Sequence, residues 1–334
     1  MTGTPLLQAD RLVRHFEHER GKLFGTPLRV RAVDGVSFDI DAGETLALVG
    51  ESGCGKTTVA RLVLGLDQTT SGTVRFEGRP VHGLAPREWR AQREAMQIVF
   101  QDPLSALDPR MRIGKQVREP LDIHAIGTPD ERQERVAGML AAVGLSRELA
   151  ERYPHEISGG QQQRVNIARA LITDPLLVVC DEPVSALDVS VQAQVVNLLA
   201  KLQRERGIAY LFISHDLKVV RHLAHRVAVM YLGLLVEVAS REKLFEDPRH
   251  PYTRALISAV PVPDPERRKH RAPVAGDPPS PIDPPSGCRF HPRCPLAERV
   301  CRETTPQLEA IADGHRVACH VELRRARSAA HATL

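Results

Sequence analysis

The chain has 334 residues, 42% of them hydrophobic and 26% charged, enough apolar matter for a sizeable core under an ordinary charge load. Its net charge of +4 is too mild, and its Arg and Lys too evenly spread, to point to nucleic acid as a partner. No stretch approaches the roughly 18 apolar residues of a spanning helix. The first sixteen residues carry Asp10 and lack the apolar centre of a secretory signal, so the reading is a cytosolic chain that meets a membrane only through partners.

In chain order, Leu28–Ile40 alternates apolar and polar residues around Asp34-Gly35, which predicts strand, turn, strand. Thr45–Val49 is a short buried strand ending at Gly50. A glycine-rich loop and a helix over Lys56–Leu66 follow it. Gly72–Val81 reads as a hairpin turning at Glu77-Gly78, and Trp89–Phe100 as a helix running into a short strand. From Gln101 to about Asp174 the pattern becomes helical, with helices expected at Pro129–Val143, Ser146–Arg152 and Gly160–Ile172. Strands at Leu176–Cys180 and Ala209–Ser214 flank an amphipathic helix over Ser190–Gly207. The helix Leu217–His225 and a strand pair around Gly233 then close the α/β core near residue 245. Beyond Asp247 proline dominates, and Pro261–Gly287 reads as a linker-like arm leading to a group of cysteines.

Three segments carry chemistry. Gly50-Glu-Ser-Gly-Cys-Gly-Lys56-Thr57 fits G-x-x-x-x-G-K-[ST] without a mismatch. Its glycines let successive backbone N–H groups turn toward phosphate oxygens, and the following helix adds its positive end. Ser52, Gly53, Cys54, Gly55, Lys56, Thr57 and Thr58 are therefore the phosphate-binding candidates, with Lys56 on the β- and γ-phosphates and Thr57 on Mg²⁺. The apolar strand Leu176–Cys180 delivers Asp181 and Glu182, one carboxylate for the Mg²⁺ shell and one placed to polarise an attacking water. Ser158-Gly159-Gly160-Gln161 opens a predicted helix and is a second anion-binding start.

With these segments together, the chain resembles the nucleotide-binding subunits of ATP-binding-cassette transporters, whose signature is L-S-G-G-Q; position 157 is Ile instead of Leu. The resemblance implies an α/β P-loop NTPase domain with an antiparallel β subdomain, a helical insert and a C-terminal cysteine-cluster extension. It implies ATP and Mg²⁺ as cofactors, Gln101 as the Q-loop glutamine on Mg²⁺ and water, and Ser185–Asp188 as the D-loop. It also implies His215 as the switch histidine on the γ-phosphate, and Phe16 as the ring that stacks on adenine. Glu182 and His215 are then the catalytic pair, Thr57, Gln101 and Asp181 the Mg²⁺ ligands, and Asp188 a further nucleotide-site residue. The signature Ser158–Gln161 is implied to serve the nucleotide of a second chain.

Gln101–Pro103, Glu182–Val191, Phe212–Leu217 and Arg249–Thr253 are similar to the oligopeptide and dipeptide importer ATPases, and most of all to the second ATPase subunit of dipeptide importers. That implies an ATPase domain over 1–245, with its helical part at about 102–174, and a peptide-importer-type extension over 246–334. It implies a peripheral place on the cytoplasmic face of the inner membrane. The implied partners are a second, different ATPase subunit, two transmembrane permease subunits and, indirectly, a periplasmic or lipid-anchored peptide-binding protein. A nickel or other solute importer of the same family, and a soluble non-transport ATPase of the same fold, are the alternatives.

The last fifth holds Cys288-x5-Cys294-x6-Cys301-x17-Cys319. No C-x2–4-C knuckle of structural zinc is present. Four cysteines on proline-stiffened backbone suit a cubane cluster, with zinc and no metal as the other readings. The peptide-importer resemblance points to [4Fe-4S].

Overall fold

The computed structural model describes residues 4–18, 28–260 and 276–332. Residues 261–275 of the expected proline arm lie outside the described residues. Two sheets build the chain. The smaller is antiparallel, in the order β2-β1-β4-β5, from β1 (Leu7–His18), β2 (Leu28–Ile40), β4 (Ser71–Phe76) and β5 (Arg79–Pro80). The larger has eight strands in the order β11-β12-β10-β9-β3-β8-β7-β6. Its parallel half contains β3 (Thr45–Val49), β6 (Met96–Val99), β7 (Leu177–Asp181), β8 (Ala209–Ser214) and β9 (Arg226–Tyr231). β10 (Leu234–Ser240), β11 (Glu309–Ala312) and β12 (His315–Val317) complete it in antiparallel fashion.

Every residue of β3, β7 and β8 is buried, as expected for parallel strands covered on both faces. Successive side chains take opposite faces. Leu177, Val179, Leu211 and Ile213 pack with the small sheet and the helix Lys56–Val63. Val178, Cys180, Tyr210 and Phe212 pack on the helical side with Val165, Ile167, Val195 and Leu199. The parallel register decides where the loops emerge. Val49 lies level with Ser214, Asp181 with Ile213, and Val99 with Cys180. The segments after β3, β6, β7 and β8 therefore leave the sheet at one common edge, where ligands of such sheets bind.

The helical insert contains Ile113–His124, Pro129–Ala142 and Gly159–Leu171, with a short 3-10 turn at Arg147–Glu151. Thr128 and Glu131 form a reciprocal capping box at the start of the second helix. Ile113–His124, with Pro120 inside it, lies in the stretch read as helical but was not among the helices expected there. Ile113, Val117 and Leu121, spaced four apart, are all fully buried, and that burial outweighs the missing backbone bond at proline.

Two further expectations are corrected. Asp34-Gly35 is not a turn: β2 runs through it as one strand, paired with β1 along its length, and absorbs Gly35 at φ +94° as an irregularity between Val36 and Asp34. The sheet also does not end at β10, since β12 pairs with it and β11 with β12. The proline-rich end further supplies the helix Pro251–Ser258, with proline at its first turn where it costs no bond, and the helix His320–Ala332.

Candidate functional site

Where β3 ends, the chain enters the loop Gly50–Thr57. Added to Gly50, a Cβ would stand 2.2 Å from the Met230 carbonyl oxygen; at Gly55, with φ +109°, it would stand 2.1 Å from that of Ala32. Only glycine lets the loop pass between these backbones. The helix Lys56–Val63 begins with no side-chain cap, so its first N–H groups face the loop. Lys56 is buried and donates from Nζ to the carbonyls of Gly50 at 2.9 Å and Glu51 at 3.1 Å. Ser52 and Gly53 are exposed at the loop's crest and Thr58 is half-buried, while Cys54 is buried beneath it. Burial raises the Cys54 thiol against the opposing charge of Lys56, which makes it a packing residue.

Acidic groups arrive from β7. Thr57 Oγ1 donates to Asp181 Oδ1 at 3.3 Å. Burial pushes the Asp181 carboxyl above its ordinary value, with the Thr57 hydrogen bond opposing and the charge of Glu182 adding to the rise. Glu182 takes a left-handed backbone, φ +46°, which for a non-glycine residue costs on the order of 1–3 kcal/mol. It is held there by its N–H donating to Ile213 and its carbonyl accepting from Ser185. The bend turns its carboxylate back over the loop. Glu182 Oε2 accepts from Gln101 Nε2 at 3.2 Å and lies 3.2 Å from His215 Nδ1, while Oε1 lies 3.9 Å from Lys56 Nζ. Three segments thus converge on the carboxylate of a fourth, and Thr57 and Asp181 offer the oxygen donors that suit a hard cation such as Mg²⁺.

The remaining expected residues lie apart from this centre. Ser158 caps the helix Gly159–Leu171 in a reciprocal box with Gln161, its N–H donating to Gln161 Oε1 at 3.0 Å. Ser158 and Gly159 are exposed, whereas Gly160 is needed inside the chain, because a Cβ there would meet Val191 at 2.6 Å. Asp188 starts the helix Val189–Arg206, is exposed, and caps nothing with its side chain. Beside it Val189 is 82% exposed. Phe16 lies on β1 opposite Val30, at the surface, with the Arg14 guanidinium 4.5 Å from its ring centroid. None of these residues has a hydrogen bond or ion pair to Lys56, Asp181 or Glu182 among the described residues.

The comparisons with known proteins follow this geometry. The family description "ABC transporter" matches residues 33–185, and "Oligopeptide/dipeptide transporter, C-terminal region" matches 236–301. A probable peptide ABC transporter ATP-binding protein, y4tS, of Sinorhizobium fredii is 54% identical over 326 residues, 98% of this chain and 92% of its own length. The oligopeptide transport ATP-binding protein OppF of Escherichia coli is 52% identical, covering 94% of this chain and 95% of its own.

The chain belongs to the ABC transporter ATPases.

Like the other subunits of this family, it is an ATP-hydrolysing component of a transporter. Among solved structures, the ATP-binding cassette MJ0796 bound to ADP and Pi, a dimer, aligns with a TM-score of 0.62 at 28% identity, over 70% of this chain and 98% of that one. The cbiO1 subunit of the Clostridium perfringens transporter complex cbiONQ aligns at 0.62 and 27% identity, over 73% and 91%. Among the described residues no helix is long and apolar enough to cross a membrane.

The four cysteines of the extension form no metal site among the described residues. Cys288, Cys294, Cys301 and Cys319 are all free of disulfides, and among the described residues no group of three or more His, Cys, Asp or Glu side chains is placed to hold a metal ion. Three of the thiols lie in two apolar surroundings. Cys288 and Cys294 pack against the core containing Tyr231, Tyr252 and Phe290, and Cys319 joins Val317, Val321 and Leu323. Burial pushes the Cys288 thiol up to about 12, with Cys301, Cys319 and Cys294 adding to the rise.

Sequence reasoning also missed the residues beneath the loop. Glu51 is a free position in the glycine-loop pattern, and Arg293 sits in a proline-rich stretch with no local signal; their pairing spans 242 residues.

Proposed function

We propose that this chain powers an importer of di- or oligopeptides by binding and hydrolysing ATP at the Gly50–Thr57 loop. The observation that carries the proposal is the convergence of Lys56, Gln101 and His215 on the Glu182 carboxylate beside the Thr57–Asp181 pair. Ser52 to Thr58 cradle the phosphates and Phe16 stacks on the adenine. Thr57, Gln101 and Asp181 hold Mg²⁺, which would neutralise charge on the phosphates. Glu182 takes the proton of the attacking water, and His215 steadies the γ-phosphate.

Ser158–Gln161 and Asp188 complete the site of a second ATPase subunit that closes face to face on this one. Their separation from the Glu182 centre within one chain, and the exposure of Ser158, Gly159 and Val189, support that reading. A different subunit is the expected second chain. Two permease subunits docked on the helical part at about 102–174, and a peptide-binding protein, complete an assembly at the cytoplasmic face of the membrane. The ATPase unit is taken as 1–245 and the extension as 246–334. Peptide cargo is supported by the match of 236–301 to the oligopeptide/dipeptide transporter region and by the peptide transport named for the relatives.

The deciding experiment is Glu182→Gln. The variant is expected to bind ATP, to stay closed as a dimer with its partner subunit, and to lose turnover. Hydrolysis at the wild-type rate would sink the role of Glu182. Import of a labelled dipeptide by the reconstituted assembly tests the cargo.

A [4Fe-4S] cluster on Cys288, Cys294, Cys301 and Cys319 is a separate element of the proposal. It is supported by the Cys288 N–H donating to the Cys301 carbonyl at 2.8 Å, which brings two of the four cysteines together, and by the placement of all four within one short segment of the chain. It requires the side chains to turn together and lose their protons. Iron and sulfide analysis of anaerobically purified protein tests it, and a colourless, iron-free preparation would discard it.

A further inference from the structure

The phosphate loop is anchored from below by the C-terminal extension. Arg293 lies in the 3-10 turn His291–Arg293, between Cys288 and Cys294, and its side chain is only 6% exposed. It grips the Glu51 carboxylate with both ends of its guanidinium, at 2.9 Å and 3.2 Å. A bidentate pair of this kind fixes both distance and plane. Tyr252, on the helix Pro251–Ser258 and fully buried, accepts the Glu51 backbone N–H at 2.9 Å. The Glu51 carbonyl in turn accepts from Lys56 Nζ and, at 3.3 Å, from the Cys54 N–H. Every polar group of Glu51 is thereby committed, two of them to residues more than two hundred positions downstream.

The two anchors are themselves rigidly mounted. The rings of Tyr231, Tyr252 and Phe290 pack with centroids 4.7 to 5.4 Å apart, and Arg293 Nη1 also donates to Tyr231 Oη at 3.4 Å. Glu51 does not point its N–H into the loop where phosphates bind, because Tyr252 holds it. Its function is to set the shape of the turn that carries the phosphate-facing N–H groups and to fix the carbonyl on which Lys56 rests.

We propose that Arg293 and Tyr252 are positioning residues for nucleotide binding, acting through Glu51 to hold the phosphate loop in its ATP-ready shape. The extension that marks this branch of the family then controls ATP affinity through Glu51. The inference rests on the reading of Gly50–Thr57 as the ATP site.

The test measures ATP affinity, KM and kcat in the full-length protein for Arg293→Gln, Tyr252→Phe, Glu51→Gln, the double variant Glu51→Gln/Arg293→Gln, and Lys56→Ala as the control for the site itself. Losing one partner of a charged bidentate pair is expected to raise KM for ATP about tenfold while kcat stays near wild type. Tyr252→Phe keeps the packed ring, loses only the hydroxyl, and is expected to raise KM about fivefold. The double variant is expected to be no weaker than either single one, because both remove the same contact. An unchanged KM in Arg293→Gln and Tyr252→Phe overturns the proposal. So does a lowered melting temperature with unchanged ATP affinity, since the pair would then serve stability alone. If Lys56→Ala binds ATP as wild type does, the reading of the loop has failed, whatever the anchors do.

Discussion

Glu182 Oε2 and His215 Nδ1 stand 3.2 Å apart although they close two different strands, β7 and β8. The parallel register sets this distance, because Asp181 lies level with Ile213 and the next residues must leave side by side. The imidazole is 57% exposed on its outer side, so one face meets the carboxylate and the other is open to a bound phosphate. Removing it in His215→Ala is expected to lower single-turnover hydrolysis by about 10²–10³-fold, the range seen when one preorganised donor is lost. ATP binding should persist, and a nucleotide-binding titration beside the hydrolysis assay separates the two effects.

The glycines of Gly50–Thr57 and of Ser158–Gln161 should respond differently to the same change. Gly55→Ala places a Cβ 2.1 Å from a backbone oxygen in a left-handed conformation. Its loss of stability is expected to be about 1–3 kcal/mol from the backbone alone, with more from the clash. Gly159→Ala meets nothing within 4 Å and should leave the isolated subunit within roughly 0.5 kcal/mol of wild type. If the signature serves a facing chain, Gly159→Ala should nonetheless depress ATPase activity of the assembled transporter. Chemical denaturation and assembly-level turnover, measured in parallel, check both.

Stability should fall with acidity through His250. Burial lowers this imidazole from its ordinary value of 6.5 to about 4, so the folded protein keeps it neutral. Between those values the unfolded chain binds the proton more readily than the folded one. The stabilisation is therefore complete above about pH 6.5 and is lost as pH falls toward 4, at about 1.4 kcal/mol per pH unit. Unfolding free energies measured across that window should show this slope. His250→Asn, which keeps an acceptor for the Tyr252 N–H, should remove it.

Glu237 is the most exacting buried charge. Fully buried on β10, it accepts from the backbone N–H groups of Arg249 and His250 at 2.8 Å each and lies 2.8 Å from His315 Nε2. Burial alone would raise its carboxyl, but the His315 contact, with Thr253 and the two N–H groups, holds it below the ordinary value. Its contribution is thus present above the unfolded value of 4.5 and lost as pH falls below it. Glu237→Ala leaves those donors without an acceptor and should cost about 3–5 kcal/mol, read by denaturation at neutral pH.

Much of the candidate site's local geometry was legible because each piece is local. The glycine spacing of 50–57, the apolar run before Asp181 and the strand before His215 all report their own geometry. Phe16 and Asp188 carried less, since each is a single residue whose role depends on what faces it. Gly35 misled because glycine after aspartate signals a turn, and only the long partner strand β1 reveals that β2 continues through it. Ile113–His124 was obscured by Pro120, a penalty that tertiary burial overrode. The Glu51–Arg293 and Glu237–His315 pairs left no trace, because a contact between residues remote in sequence has no periodicity to detect.

The placement of Arg293 also bears on how the chain is made. Glu51 emerges from the ribosome 242 residues before its guanidinium partner. At about 5–20 residues per second, the nascent phosphate loop waits roughly ten to fifty seconds for its anchor. Late in that interval β10 stands as an open edge until β12 arrives, a template for wrong pairing. A message truncated after β10 but before Arg293 would release a product that carries every nucleotide-binding motif yet has a loose loop and an exposed edge. Quality control in the cell should recognise such a product by that edge, since its motifs are intact.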